Sequence, residues 1–110
     1  MTQLIEGTSG AFRVVRLPAR LDVSTAKPLV EAVRSSIAEG HHHYVLDFAG
    51  TETIDSTALG AIIQLYKTVK THDGDLRLAC VGDGVRRVLA ITRVDRVFSI
   101  TATVDEALEN

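Results

Sequence analysis

The sequence predicts an α/β fold: a mostly parallel sheet with one antiparallel edge strand and helices packed on it. Three observations predict it. Short apolar runs of strand type recur along the 110 residues, at Ala11–Leu17, Tyr44–Phe48 and Leu76–Val81. Between them lie stretches whose apolar residues recur every three or four positions, the period of a helix with one buried face. Turn and cap residues such as Gly40, Gly50 and Gly74 then punctuate each change of period. Strands that alternate with helices pair in parallel, joined by right-handed crossovers.

The elements follow in the order ββαβαβαβα. Thr2–Gly7 and Ala11–Leu17 read as two strands of a hairpin about Thr8-Ser9-Gly10. In the second, Phe12 and Val14 share one face while Val15 and Leu17 share the other, so the strand is either covered on both sides or bulged. Asp22 or Ser24 then caps a helix with the apolar stripe Ala26, Leu29, Val30, Val33 and Ile37, stopped by Gly40. Pro28 is placed in its first turn, where a missing N–H costs little. After the strand Tyr44–Phe48, the spacing of Leu59, Ile62, Ile63, Tyr66 and Val69 predicts a helix from about Thr57 to about His72. A strand at Leu76–Val81, a short helix at Gly84–Ile91 and a brief strand near Val97–Ser99 follow. Thr103-Val104-Asp105-Glu106 reads as a capping box that opens a last helix.

Residues 1–110 are long enough for one domain with its own core and need no disulfide or metal. Apolar content of 45% with 24% charged residues is ordinary for a globular chain. No run approaches the ~18 apolar residues of a membrane helix, and Met1–Glu6 has neither the basic nor the apolar region of a secretory signal, so a cytoplasmic protein is expected. The single cysteine, Cys80, is expected as a buried free thiol in a strand. A net charge of −2 gives no footprint for nucleic acid. Arg86, Arg87, Arg93 and Arg96 do cluster, and both a solvated face and a protein-contact patch fit them. His41-His42-His43 would point to different faces of a strand entry, poor geometry for one metal, and no metal site is expected.

The most informative segment is Ile54-Asp55-Ser56-Thr57-Ala58-Leu59-Gly60-Ala61. It sets two hydroxyls where a loop gives way to a helix, and Ser56 falls at the helix N-terminus, where unpaired N–H groups favour negative charge. Asp55 or Ser56 as a plain N-cap explains part of this. The doubled hydroxyl, the preceding carboxylate and the small residues Ala58, Gly60 and Ala61, which leave that end open to a partner's backbone, point to a contact surface as well. Loops that follow strands in such sheets gather function at one end, which brings Asp22 near Ser56.

This segment resembles the Asp-Ser-(Ser/Thr)-Gly-Leu-Gly motif of STAS domains, the family of bacterial anti-sigma factor antagonists. Val15–Asp22 is similar to that family's second strand and its Gly-Glu-Leu-Asp loop, and the likeness runs on through Asp73–Leu78 and Val94–Phe98. Ala58 stands where the motif has glycine, and Ala19-Arg20 where it has Gly-Glu. The resemblance implies a STAS fold and a phosphorylation switch. The unphosphorylated protein would bind an anti-sigma factor that is also a serine kinase and so free the sigma factor. Phosphorylation of Ser56 would release it, and a phosphatase would reset it. Ser56 is then the phosphorylation site, and Asp22, Asp55, Ser56, Thr57, Ala58 and Gly60 are the partner-binding residues. No cofactor is expected on this chain, since ATP and Mg²⁺ would belong to the kinase. A second implied reading is a non-catalytic STAS subunit of a phospholipid-transport ABC system or of a stress-signalling complex.

Catalysis is not expected from the residues. Thr53–Thr57 does not supply the Gly-x-Ser-x-Gly of a hydrolase elbow, no Gly-Lys pair offers a phosphate loop, and Gly82-Asp83-Gly84 lacks the rest of a dinucleotide fingerprint. No histidine is placed to activate Ser56.

Overall fold

A computed structural model describes residues 5–9 and 12–109, with side chains from Phe12 onward. The strands are β1 (Ile5–Ser9), β2 (Phe12–Arg16), β3 (Arg20–Leu21), β4 (His43–Asp47), β5 (Thr53–Ile54), β6 (Asp75–Ala79) and β7 (Ser99–Thr101). The helices are α1 (Val23–Ala38), α2 (Ser56–Thr71), α3 (Asp83–Ile91) and α4 (Val104–Leu108), with a 3₁₀ turn at Val94–Arg96. The expected strand residues Thr2–Leu4 and Ala11, and Gly10 of the hairpin turn, lie outside the described residues; Thr8 and Ser9 belong to β1 itself.

Five strands form one sheet in the order β1-β2-β4-β6-β7. β1 pairs antiparallel with β2 and the remaining pairs are parallel, as the alternation of elements predicts. Of the two explanations of the imperfect alternation in β2, coverage on both sides applies. β2 is covered on both sides: Val15 enters the large core beneath α1 and α2, whereas Phe12 packs on a smaller cluster of Val45, Ala79 and Ala107 beneath α4. The irregularity in register lies in β1, between Ile5 and Gly7.

Several boundaries shift for physical reasons. Asp22 caps α1, which places Pro28 in the second turn rather than the first, where its ring removes an i→i−4 hydrogen bond. The brief late strand begins at Ser99, not Val97. Val94–Arg96 winds into a 3₁₀ turn, and Phe98 is drawn into the core against Tyr66, with ring centroids 5.1 Å apart. Cys80 lies just past β6 with φ 60° and is half-buried; burial and the Asp47 carboxylate push its thiol pKa up. Half of the expected capping box forms at α4. The Thr103 hydroxyl accepts from the Glu106 N–H at 3.0 Å, while the Glu106 carboxylate accepts from the Thr103 hydroxyl at 3.4 Å.

Two elements had no sequence forecast. β3 and β5 are two residues each and pair in parallel as a separate ribbon, Arg20 with Thr53 and Leu21 with Ile54. The loops before them are tied together: the buried Thr51 hydroxyl donates to the Pro18 carbonyl at 2.8 Å, and the Glu52 N–H to Ala19 at 2.8 Å. This ribbon positions the site.

Candidate functional site

The ribbon delivers two helix starts side by side. Leu21 and Ile54 are register partners, so Asp22 and Asp55 are the next residue on each strand and each is the N-cap of the helix that follows. The N–H of Asp55 donates to the Leu21 carbonyl at 2.9 Å, which locks the two caps to one another. Both are short carboxylates in extended backbone, φ −138° at Asp22 and −100° at Asp55, the conformation from which a side chain can reach the first free N–H groups.

The caps are built differently. One oxygen of Asp22 accepts from the Ser24 hydroxyl at 2.7 Å, the Ser24 N–H at 3.0 Å and the Thr25 N–H at 3.2 Å, and Thr25 Oγ1 accepts the Asp22 N–H at 2.9 Å. The Ser24 hydroxyl and the Thr25 N–H, the largest contributors, hold the Asp22 carboxyl below its ordinary pKa. The Asp55 carboxylate accepts one bond, from the Ala58 N–H at 2.8 Å. Ala58 is the third residue of α2, so the N–H groups of Ser56 and Thr57 ahead of it have no protein partner among the described residues. Ser56 and Thr57 are exposed, and their hydroxyls make no hydrogen bond among those residues. A negatively charged group on Ser56 would meet two free N–H donors and the positive end of the α2 dipole.

Of the residues expected at this surface, Asp22, Asp55, Ser56 and Thr57 share the rim. Gly60 is exposed, and a Cβ there would meet nothing within 4 Å. Ala58 does not belong to the rim. It is 1% exposed and packs in the core with Leu59, Ile62, Leu65 and Val69, so its methyl faces the sheet and not an approaching partner. The spacing 58, 62, 65, 69 carries that signal, at positions i, i+4, i+7 and i+11 of one helix face. The rim also carries Val23, 67% exposed directly after the Asp22 cap, which the sequence does not mark, and the exposed Arg20 directly before Leu21.

The histidines lie at the other end of the molecule. His43 opens β4, His72 ends α2, and the His42 and His72 rings sit 5.4 Å apart. His41 is hydrogen-bonded to Arg13 at 2.8 Å. None reaches Ser56, and among the described residues no group of three or more His, Cys, Asp or Glu side chains has the geometry to hold a metal.

The STAS domain family's sequence pattern covers residues 3–107. The chain belongs to the STAS domain family. A protein of Thermotoga neapolitana, provisionally named an anti-sigma factor antagonist, is 38% identical over 71 residues, 64% of this chain and 63% of its own length. The crystal structure of a Thermotoga maritima protein with the same provisional name superposes with a TM-score of 0.87 at 27% identity, covering 94% of this chain and 89% of that one. The phosphorylated form of the Bacillus cell fate determinant SpoIIAA superposes with a TM-score of 0.77 over 96% of this STAS domain and 95% of its own chain; at 19% identity it shows the shared fold. No helix among the described residues is long and apolar enough to cross a membrane.

Proposed function

We propose that this STAS domain is a non-catalytic anti-sigma factor antagonist switched by phosphorylation of Ser56. Unphosphorylated, it binds an anti-sigma factor that is also a serine kinase, and the sigma factor is freed. The kinase, using its own ATP and Mg²⁺ in the cytoplasm, phosphorylates Ser56, the complex parts, and a phosphatase restores the first state. The observation that carries this reading is the exposed Ser56 hydroxyl at the head of α2, beside two N–H groups that the Asp55 cap leaves free.

Each rim residue has a part. Asp55 takes only the Ala58 N–H, so the donors next to Ser56 stay open to a phosphate. Charge-assisted hydrogen bonds to such donors are worth roughly 1.5–3 kcal/mol each, enough to hold the group without disturbing the helix. The phosphate brings about −1.5 to −2 charges next to the Asp55 and Asp22 carboxylates, and a partner must then desolvate that concentrated charge. Asp22, Thr57 and Gly60 form the surface the partner meets, with Gly60 permitting close approach. Incubation with the kinase and ATP followed by peptide mass spectrometry tests the reading. Phosphate on Ser56 is expected, and phosphate elsewhere or none contradicts it.

A further inference from the structure

Three large apolar side chains are mostly exposed among the described residues: Val23 at 67%, Ile91 at 74% and Val97 at 52%. Val23 belongs to the Ser56 rim. Ile91 and Val97 belong to neither the rim nor the core, and they flank one tight turn. α3 buries Val85 and Leu89 and half-buries Val88, but its last residue, Ile91, stands clear of the core. The chain then turns through Arg93, φ 63°, a left-handed conformation unfavourable for a residue with a Cβ, into Val94–Arg96. Val94 and Phe98 are buried on either side of Val97, so the exposed valine is held by two anchored neighbours.

The same unit concentrates positive charge. Residues 83–97 carry four arginines, Arg86, Arg87, Arg93 and Arg96, against Asp83 and Asp95, in a chain whose net charge is −2. All four are exposed, and among the described residues none lies within ion-pair distance of a carboxylate. Asp83 and Arg87, at the i, i+4 spacing that commonly pairs on a helix, do not pair here. Exposed aliphatic side chains in one short segment with exposed guanidinium groups that pair with no carboxylate among the described residues are features of a protein-contact surface, since arginine is enriched and lysine depleted in interfaces.

We propose that the α3 face with its following turn is a second docking surface, and that its occupant is an acidic amphipathic segment of a partner protein. Its apolar side chains cover Ile91 and Val97, and its carboxylates pair with Arg86, Arg87, Arg93 and Arg96. Charge complementarity selects this occupant. The acidic helix α4 of a second copy, with Asp105 and Glu106, is not this occupant, because its apolar side, Val104, Ala107 and Leu108, already packs on the sheet. The proposal does not depend on the phosphorylation reading.

The test is a titration of the isotope-labelled chain with a synthetic helical peptide, leucine at positions i, i+3 and i+4 and glutamate elsewhere, followed by backbone amide shifts. Shifts confined to residues 86–97 are expected, with binding that weakens as salt rises. Arg87→Glu with Arg96→Glu should weaken it by about tenfold or more, and Ile91→Ser by a similar factor. These side chains are exposed, so melting temperatures should not change; Arg87→Gln with Arg96→Gln repeats the test without charge reversal. Ser56→Asp should bind the peptide as the unmodified chain does, which separates this surface from the switch. Shifts centred on residues 55–60, or none at all, would overturn the proposal. So would equal binding of poly-glutamate that is unaffected by Ile91→Ser, or displacement of the peptide by anionic vesicles or DNA at lower charge concentration.

Discussion

Asp55 gives its backbone N–H to the carbonyl of Leu21 at 2.9 Å, and through that bond the cap of α2 is fixed to the residue that immediately precedes the cap of α1. Two helix N-termini are thereby locked at one rim by a pair of two-residue strands. The rim is a hydrogen-bonded surface with an exposed serine on it, and the following expectations rest on that geometry.

Asp22→Ala removes four bonds that one carboxylate oxygen accepts from Ser24 and Thr25. Loss of an N-cap costs about 1 kcal/mol, so the melting temperature should fall by roughly 4–8 °C. If Asp22 also meets the partner, Asp22→Asn, a good N-cap, should fold normally and bind more weakly. Thermal melting beside calorimetric titration separates the two effects, and full affinity in the asparagine variant would leave Asp22 a cap alone.

Ala58→Gly acts on the core and not on the partner. The methyl is buried, so its loss together with glycine's poor helix propensity should cost about 1–2 kcal/mol. Partner affinity, measured where the variant is fully folded, should stay unchanged. A gain or loss of affinity would place the α2 backbone at that turn in the interface.

Gly74→Ala should destabilise the chain more than its exposed neighbours would. A Cβ on Gly74 runs into the backbone carbonyl of His42, the group that accepts the Asp75 N–H at 3.1 Å as β6 begins beside β4. Overpacking against backbone costs about 1–3 kcal/mol, and denaturant unfolding would report it as a lower midpoint at unchanged slope.

Stability should fall in acid. Burial raises the Asp75 carboxyl, but the Arg77 guanidinium at 2.8 Å and Lys70 at 3.4 Å outweigh it and leave the pKa lowered; Asp22 is lowered by Ser24 and Thr25. A carboxyl whose folded pKa is depressed contributes stability above its unfolded value, about 3.9, and loses it as pH falls through the folded one. Melting temperatures should therefore decline below about pH 4, and Asp75→Asn should flatten part of that decline.

The long helices were legible because a 3.6-residue period over sixteen positions leaves little ambiguity: the α1 stripe of Ala26, Leu29, Val33 and Ile37 is the buried face seen in the structure. Asp55 and Ser56 could be placed at a helix start for the same reason. β3 and β5 could not be found, since two residues carry no alternation, and their pairing depends on Thr51 and Glu52 closing on Pro18 and Ala19 more than thirty positions earlier. A small side chain such as Ala58 reads as open space in the sequence, but its register with Ile62, Leu65 and Val69 turns it inward. The late strand slipped by two residues because Phe98, apolar and strand-like in sequence, is drawn to Tyr66 before the strand begins.

The central claim is that one phosphate on Ser56 switches partner binding. Calorimetric titration of the anti-sigma factor with the unphosphorylated and the Ser56-phosphorylated chain, the site verified by mass spectrometry, tests it most directly. Burying the added charge against a partner costs several kcal/mol, and each 1.4 kcal/mol is tenfold in affinity, so the phosphorylated chain should bind at least about a hundredfold more weakly while its circular dichroism is unchanged. Equal affinity of the two forms would contradict it.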